Sequence, residues 1–127
     1  MNWTLVGGLI GFCGVAAGAF GAHSLKAIVT PHRLETFEVA VRYQMYHALA
    51  LLLAGLLDAR GAAWCFLAGT VIFSGSLYLL VLTEHRWLGA VTPVGGLVLL
   101  AGWVFTRVFR YAVRSGLLAR YSAESVA

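Results

Sequence analysis

The segment Tyr43-Gln44-Met45-Tyr46-His47-Ala48, which runs on without a break into the apolar stretch Leu49 to Leu57, decides the fold. No charged residue interrupts it before Asp58, so it suits a membrane-spanning helix. Yet its first turns carry an amide, Gln44, and an ionisable ring, His47. Polar groups at membrane depth are costly and are kept there with partners. The rest of the chain must therefore supply apolar helices that surround them.

Composition agrees with this reading. Of 127 residues, 61% are hydrophobic and only 11% charged, against about 25% charged in an ordinary soluble domain. A membrane-spanning helix takes ~20 largely apolar residues, so four spans with short connections nearly use up the length. The expected spans are 3–22, 43–57 with an amphipathic lead-in over 31–42, 63–83 and 88–111. They make an all-α, up-and-down four-helix bundle in the membrane. Residues 112–127 are expected to form a basic, partly disordered tail.

The net charge is +4, and four of the arginines, Arg107, Arg110, Arg114 and Arg120, lie close together near the end. Beside an apolar span, Arg107, Arg110 and Arg114 point to anionic lipid headgroups and not to nucleic acid. Arg60 and the tail arginines fall on the side of both termini; Lys26, Arg33, Arg42 and Arg86 fall on the other. That small excess, with the clustered tail, places both termini in the cytoplasm of a cell (inner) membrane.

Outward from the deciding segment, the first apolar run extends from Trp3 to Ala22. It is longer than a signal-peptide core of roughly 7–15 residues and reads as a retained helix. Its glycines, Gly7, Gly11, Gly14, Gly18 and Gly21, recur at alternating steps of four and three along one face. Such a seam lets helix backbones approach closely in lipid. Packing within the chain is favoured over self-association as its use. Gly95 and Gly102 give the last span a similar small-residue face.

Thr30-Pro31 carries the signature of a helix start, with a capping hydroxyl followed by a first-turn proline. From there an apolar stripe, Leu34, Phe37, Val41, Met45 and Ala48, shares the helix with Glu35, Glu38 and Arg42; Glu38 and Arg42 have the spacing of an ion pair. Thr92-Pro93 repeats the start signal, so the fourth helix begins either near Leu88 or there. Cys13 and Cys65 lie singly in apolar runs, which suggests small packing groups and no metal finger.

Four signatures occur in order: Gly18-Ala19-Phe20-Gly21-Ala22-His23-Ser24-Leu25-Lys26, Tyr43-Gln44-x-x-His47-Ala48-Leu49-Ala50, Phe73-Ser74-Gly75-Ser76-Leu77-Tyr78, and Thr92-Pro93-Val94-Gly95-Gly96 with Gly102-Trp103. Together they resemble the YgdD family of small membrane proteins, over roughly Gly7 to Trp103. The resemblance implies a four-helix membrane protein of bacterial inner-membrane type. It implies no activity, since that family is one of unknown function, and it carries over no catalytic residue. The tail after Arg107 extends beyond the family pattern.

In an up-and-down bundle, the end of the first helix, the start of the second, the end of the third and the start of the fourth share one side of the membrane. His23, Tyr43, Gln44, His47, Ser74, Ser76 and Thr92 are therefore expected to converge in one half of the bundle. Most of these groups are expected to fix helix register by hydrogen bonding. Beyond that, a non-enzymatic binding, assembly or accessory-subunit role is favoured, with a homo-oligomer or a larger membrane complex as its setting. One alternative is an oligomeric transporter or channel. Another is a haem- or quinone-binding protein using His23 and His47, although two histidines make an incomplete metal set. Catalysis is disfavoured, because no acidic residue lies in the spans and no GxSxG pattern is present. The cofactor is left open.

Overall fold

The computed structural model describes residues 1–126, with helices joined by tight turns and no strand among them. In chain order these are α1 (Trp3–His23), a short 3-10 turn (Leu25–Ala27), α2 (Pro31–Leu56), α3 (Arg60–Thr83), α4 (Leu88–Arg114) and α5 (Leu117–Val126). The first four α-helices are long and apolar enough to cross a membrane. Their outward faces carry Leu5, Leu9 and Phe12 on α1 and Leu97, Leu100 and Val104 on α4, all exposed, as befits side chains that meet lipid. The chain is a multi-pass membrane protein with a helical bundle fold.

The helix ends follow local chemistry. Asn2 accepts from the Leu5 amide at 3.0 Å and Thr30 from the Arg33 amide at 3.4 Å, each satisfying a free donor at a helix start. Pro31 occupies the first turn as expected. Glu84 ends α3 in the left-handed conformation, at φ 58°. Of the two possible starts for α4, the earlier one is found: the helix begins at Leu88 and Pro93 lies inside it. Pro93 has no amide to bond the Gly89 carbonyl one turn earlier, so α4 forgoes one backbone bond in its second turn.

Packing is sequential: α1 lies on α2, α2 on α3 and α3 on α4. Glycines set the spacing. A Cβ placed on Gly7 would come within 2.9 Å of the Leu52 amide nitrogen, and one on Gly14 within 2.5 Å of the Met45 sulfur; Gly18 faces Val41 and Gly21 faces Phe37. The seam on α1 is thus spent against α2. On the other side of the molecule, Gly95 meets the Phe73 backbone, Gly69 meets Leu99 and Gly102 meets Phe66. In lipid, where water drives little helix association, such close contact supplies much of the attraction.

After a turn at Gly116, whose φ is +68°, the chain forms α5; Ala119, Arg120 and Ala123 are good helix formers. Ala127 lies outside the described residues. One expectation needs correction. The Glu38–Arg42 ion pair is absent: among the described residues the ion pairs are Arg33–Glu84 and Arg60–Asp58, and both Glu38 and Arg42 lie exposed.

Candidate functional site

The polar side chains form a ladder between helices. At its deepest rung His47, buried on α2, has Nδ1 2.7 Å from the Tyr43 carbonyl, while its Nε2 accepts from the Trp103 indole N–H of α4 at 3.2 Å. A carbonyl can only accept and an indole can only donate, so one neutral tautomer, protonated on Nδ1, serves both. Phe66 and Trp103 flank the ring, with centroids 5.7 and 6.1 Å away. Gly11 of α1 faces Ala48, which puts His47 near the middle of the span.

One turn away, Gln44 ties three helices together. Its Nε2 donates to the Ile10 carbonyl of α1 at 2.9 Å, and its Oε1 accepts from the Tyr78 hydroxyl of α3 at 2.6 Å. Ser74 donates to the Ala40 carbonyl of α2 at 2.7 Å. Ser76 and Thr92 join α3 to α4 through their hydroxyls at 2.6 Å. The Ile10 and Ala40 carbonyls can take these donors because a carbonyl oxygen has two lone pairs and its own helix uses only one.

Gln44, His47, Ser74, Ser76 and Thr92 each take part in a contact between helices, and these contacts are strung along the bundle as separate links. Tyr43 contributes its carbonyl, while its ring packs on Phe73 at 4.7 Å. His23 does not join. It is exposed at the end of α1, twelve residues past Gly11, or roughly 18 Å of helix rise from the level of His47. Histidines so placed do not share a metal or haem, and both His47 nitrogens already have partners. Sequence reading missed two members, Tyr78 and Trp103. The signals were present: Tyr78 follows Ser74 by four and shares its face, and an indole near mid-span needs an acceptor.

At the side where α2 begins and α3 ends, Arg33 donates to the Val81 carbonyl and pairs with Glu84 at 3.3 Å. At the opposite side Arg107, Arg110, Tyr111 and Arg114 line a groove of about 290 Å³. Among the described residues no group of three or more His, Cys, Asp or Glu is placed to hold a metal.

Comparison with known proteins bears on identity. Residues 17–96 match the model of a family described as a protein of unknown function (DUF423). A UPF0382 membrane protein of Staphylococcus aureus (strain bovine RF122 / ET3-1) is 41% identical over 116 residues, which cover 85% of this chain and 95% of that protein. One of Staphylococcus haemolyticus is 43% identical over 106 residues, covering 79% and 87%. No solved structure matches. The matched stretch contains each candidate polar residue from His23 to Thr92.

Proposed function

Because this chain belongs to the DUF423 family, whose description assigns no activity and whose relatives above are named membrane proteins, we propose that it acts without catalysis, as a membrane component that binds anionic phospholipid through its arginine-bearing end. The observation that carries this reading is the exposed set Arg107, Arg110 and Arg114 on the last turns of α4, around a groove that also includes Tyr111. Guanidinium groups bind phosphate oxygens through paired N–H donors, and basic residues beside a span each add about 1 kcal/mol of attraction to an anionic surface. α5, which follows directly, presents Leu117 and Tyr121 four residues apart and Arg120 between them, a pattern suited to the headgroup layer. On this reading the arginine-bearing end, with both termini, faces the cytoplasm of a cell membrane. The test is native mass spectrometry of the detergent-extracted protein titrated with phosphatidylglycerol or phosphatidylcholine. The wild type should hold phosphatidylglycerol preferentially, and R107Q/R110Q/R114Q should lose most of that preference. Equal retention by both proteins would overturn the reading.

A second reading, assembly with a second copy, is favoured by α2. The outer face of α2 is uncovered, with Tyr46, Leu49 and Leu53 exposed along it. It carries Glu38 and Arg42 a few residues inside the end of the span, exposed and unpaired with each other. Charges at such depth usually find partners, and parallel copies would place Glu38 of one beside Arg42 of the next. E38Q/R42Q should then lower the dimer fraction seen by cross-linking in bilayers; an unchanged monomer–dimer ratio would remove this reading.

A further inference from the structure

We propose that the end of the bundle opposite the tail arginines holds a phosphate-bearing anion in a cavity between the start of α2 and the end of α3. The cavity measures about 360 Å³, and its polar lining comes from His32, Arg33, Thr36, Glu84 and Arg86.

The lining has an excess of donors. Arg33 and Glu84 oppose one another at 3.3 Å and largely cancel. Arg86 remains: it is exposed on the turn before α4 and belongs to neither of the ion pairs found among the described residues. His32 adds a ring N–H, and both His32 and Arg33 lie in the first turn of α2, where the helix dipole favours negative charge. The Nε of Arg33 is buried without an acceptor. Two guanidinium groups exclude a cation as the occupant, and the donor-rich lining disfavours a bare acyl chain.

The depth of the cavity says which anion chemistry is at hand. Arg33 lies beside Val81, two residues before α3 ends. Trp87, next to Arg86, is exposed, and an exposed tryptophan beside a span end belongs at the headgroup layer. Lys26 lies on the turn between α1 and α2, at the same end. The site therefore sits where phosphodiester groups are concentrated and where aqueous phosphate also has access. Glu84 is the one group that opposes an anion. It holds Arg33 in place and at the same time weakens its charge.

The test separates this site from the tail groove and separates its two possible sources. The R107Q/R110Q/R114Q background is titrated with phosphatidylglycerol by native mass spectrometry and, separately, with inorganic phosphate by calorimetry, with and without R86Q. Loss of one charge-assisted contact should weaken binding about tenfold, and R86K should retain most of it. E84Q, which removes the opposing carboxylate and frees Arg33, should tighten binding several-fold, a gain that misfolding does not produce. An effect in the lipid arm assigns the site to a headgroup, and an effect in the phosphate arm assigns it to the free anion. If R86Q and E84Q change neither arm, the cavity is not an anion site. Failure of the tail groove would show separately, as unchanged lipid binding in the triple variant itself.

Discussion

Gly95→Ala should push α3 and α4 apart, while Gly96→Ala, one residue on, should be tolerated. A Cβ on Gly95 would lie 2.5 Å from the Phe73 amide nitrogen and 2.8 Å from its Cα. Both are backbone atoms and have no rotamer through which to yield, so α4 must retreat by about 1 Å to restore ordinary contact. That retreat would stretch the Ser76–Thr92 bond, now 2.6 Å, past hydrogen-bonding range. Overpacking costs about 1–3 kcal/mol, and a lost interhelical bond in lipid adds ~0.6 kcal/mol. Alanine's better helix propensity returns about 1 kcal/mol, leaving a net loss of roughly 0.6–2.6 kcal/mol. On Gly96 the nearest atoms to a Cβ are ring carbons of Phe73 at 3.8 and 3.9 Å, so only the propensity gain applies, up to about 1 kcal/mol. Reversible unfolding in mixed bicelles and detergent, read by tryptophan fluorescence, measures both. If Gly95→Ala is as stable as the wild type, the close α3–α4 approach does not exist.

The interhelical links carry further expectations. In a double-mutant cycle, Gln44→Leu and Tyr78→Phe should couple by ~0.6 kcal/mol and by no more than about 1.7 kcal/mol, the range for hydrogen bonds within membranes; zero coupling would break the Gln44–Tyr78 link. His23→Ala should leave stability within about 0.5 kcal/mol, as for an exposed surface change. His47→Ala should cost about 2 kcal/mol or more, since it opens space beside Phe66 and leaves the Trp103 donor unpaired. Equal effects at the two histidines would contradict their separation.

Much of this architecture was legible in the chain. Four apolar runs separated by Lys26, Asp58-Ala59-Arg60 and Glu84-His85-Arg86 located the spans, and Thr30-Pro31 marked the start of α2. The glycine steps on α1 identified the face that meets α2, because only that spacing keeps small residues on one side. What the sequence withheld was the register between helices. His23 and His47 look like candidates for one site until the pairing of Gly21 with Phe37 and Gly11 with Ala48 fixes them at different depths. Gly55 and Gly69 sit in apolar surroundings without a repeated spacing, yet one meets Thr4 and the other Leu99. Trp103 carries an indole donor that needs an acceptor, and only its place opposite α2 shows that the acceptor is His47. The cavity around Arg33 and Arg86 joins residues more than fifty positions apart, which no local pattern could show.

The account rests on intramembrane polar groups that bind helix to helix. Nitrogen-15 solid-state NMR of histidine- and tryptophan-labelled protein in lipid bilayers, with H47F to assign the ring, tests this most directly. His47 should appear as a neutral ring protonated on Nδ1, with its Nε2 correlated to the Trp103 indole N–H. A ring protonated on Nε2, or one bound to a metal or ligand through that nitrogen, would contradict the account and return His47 to the role of a binding site.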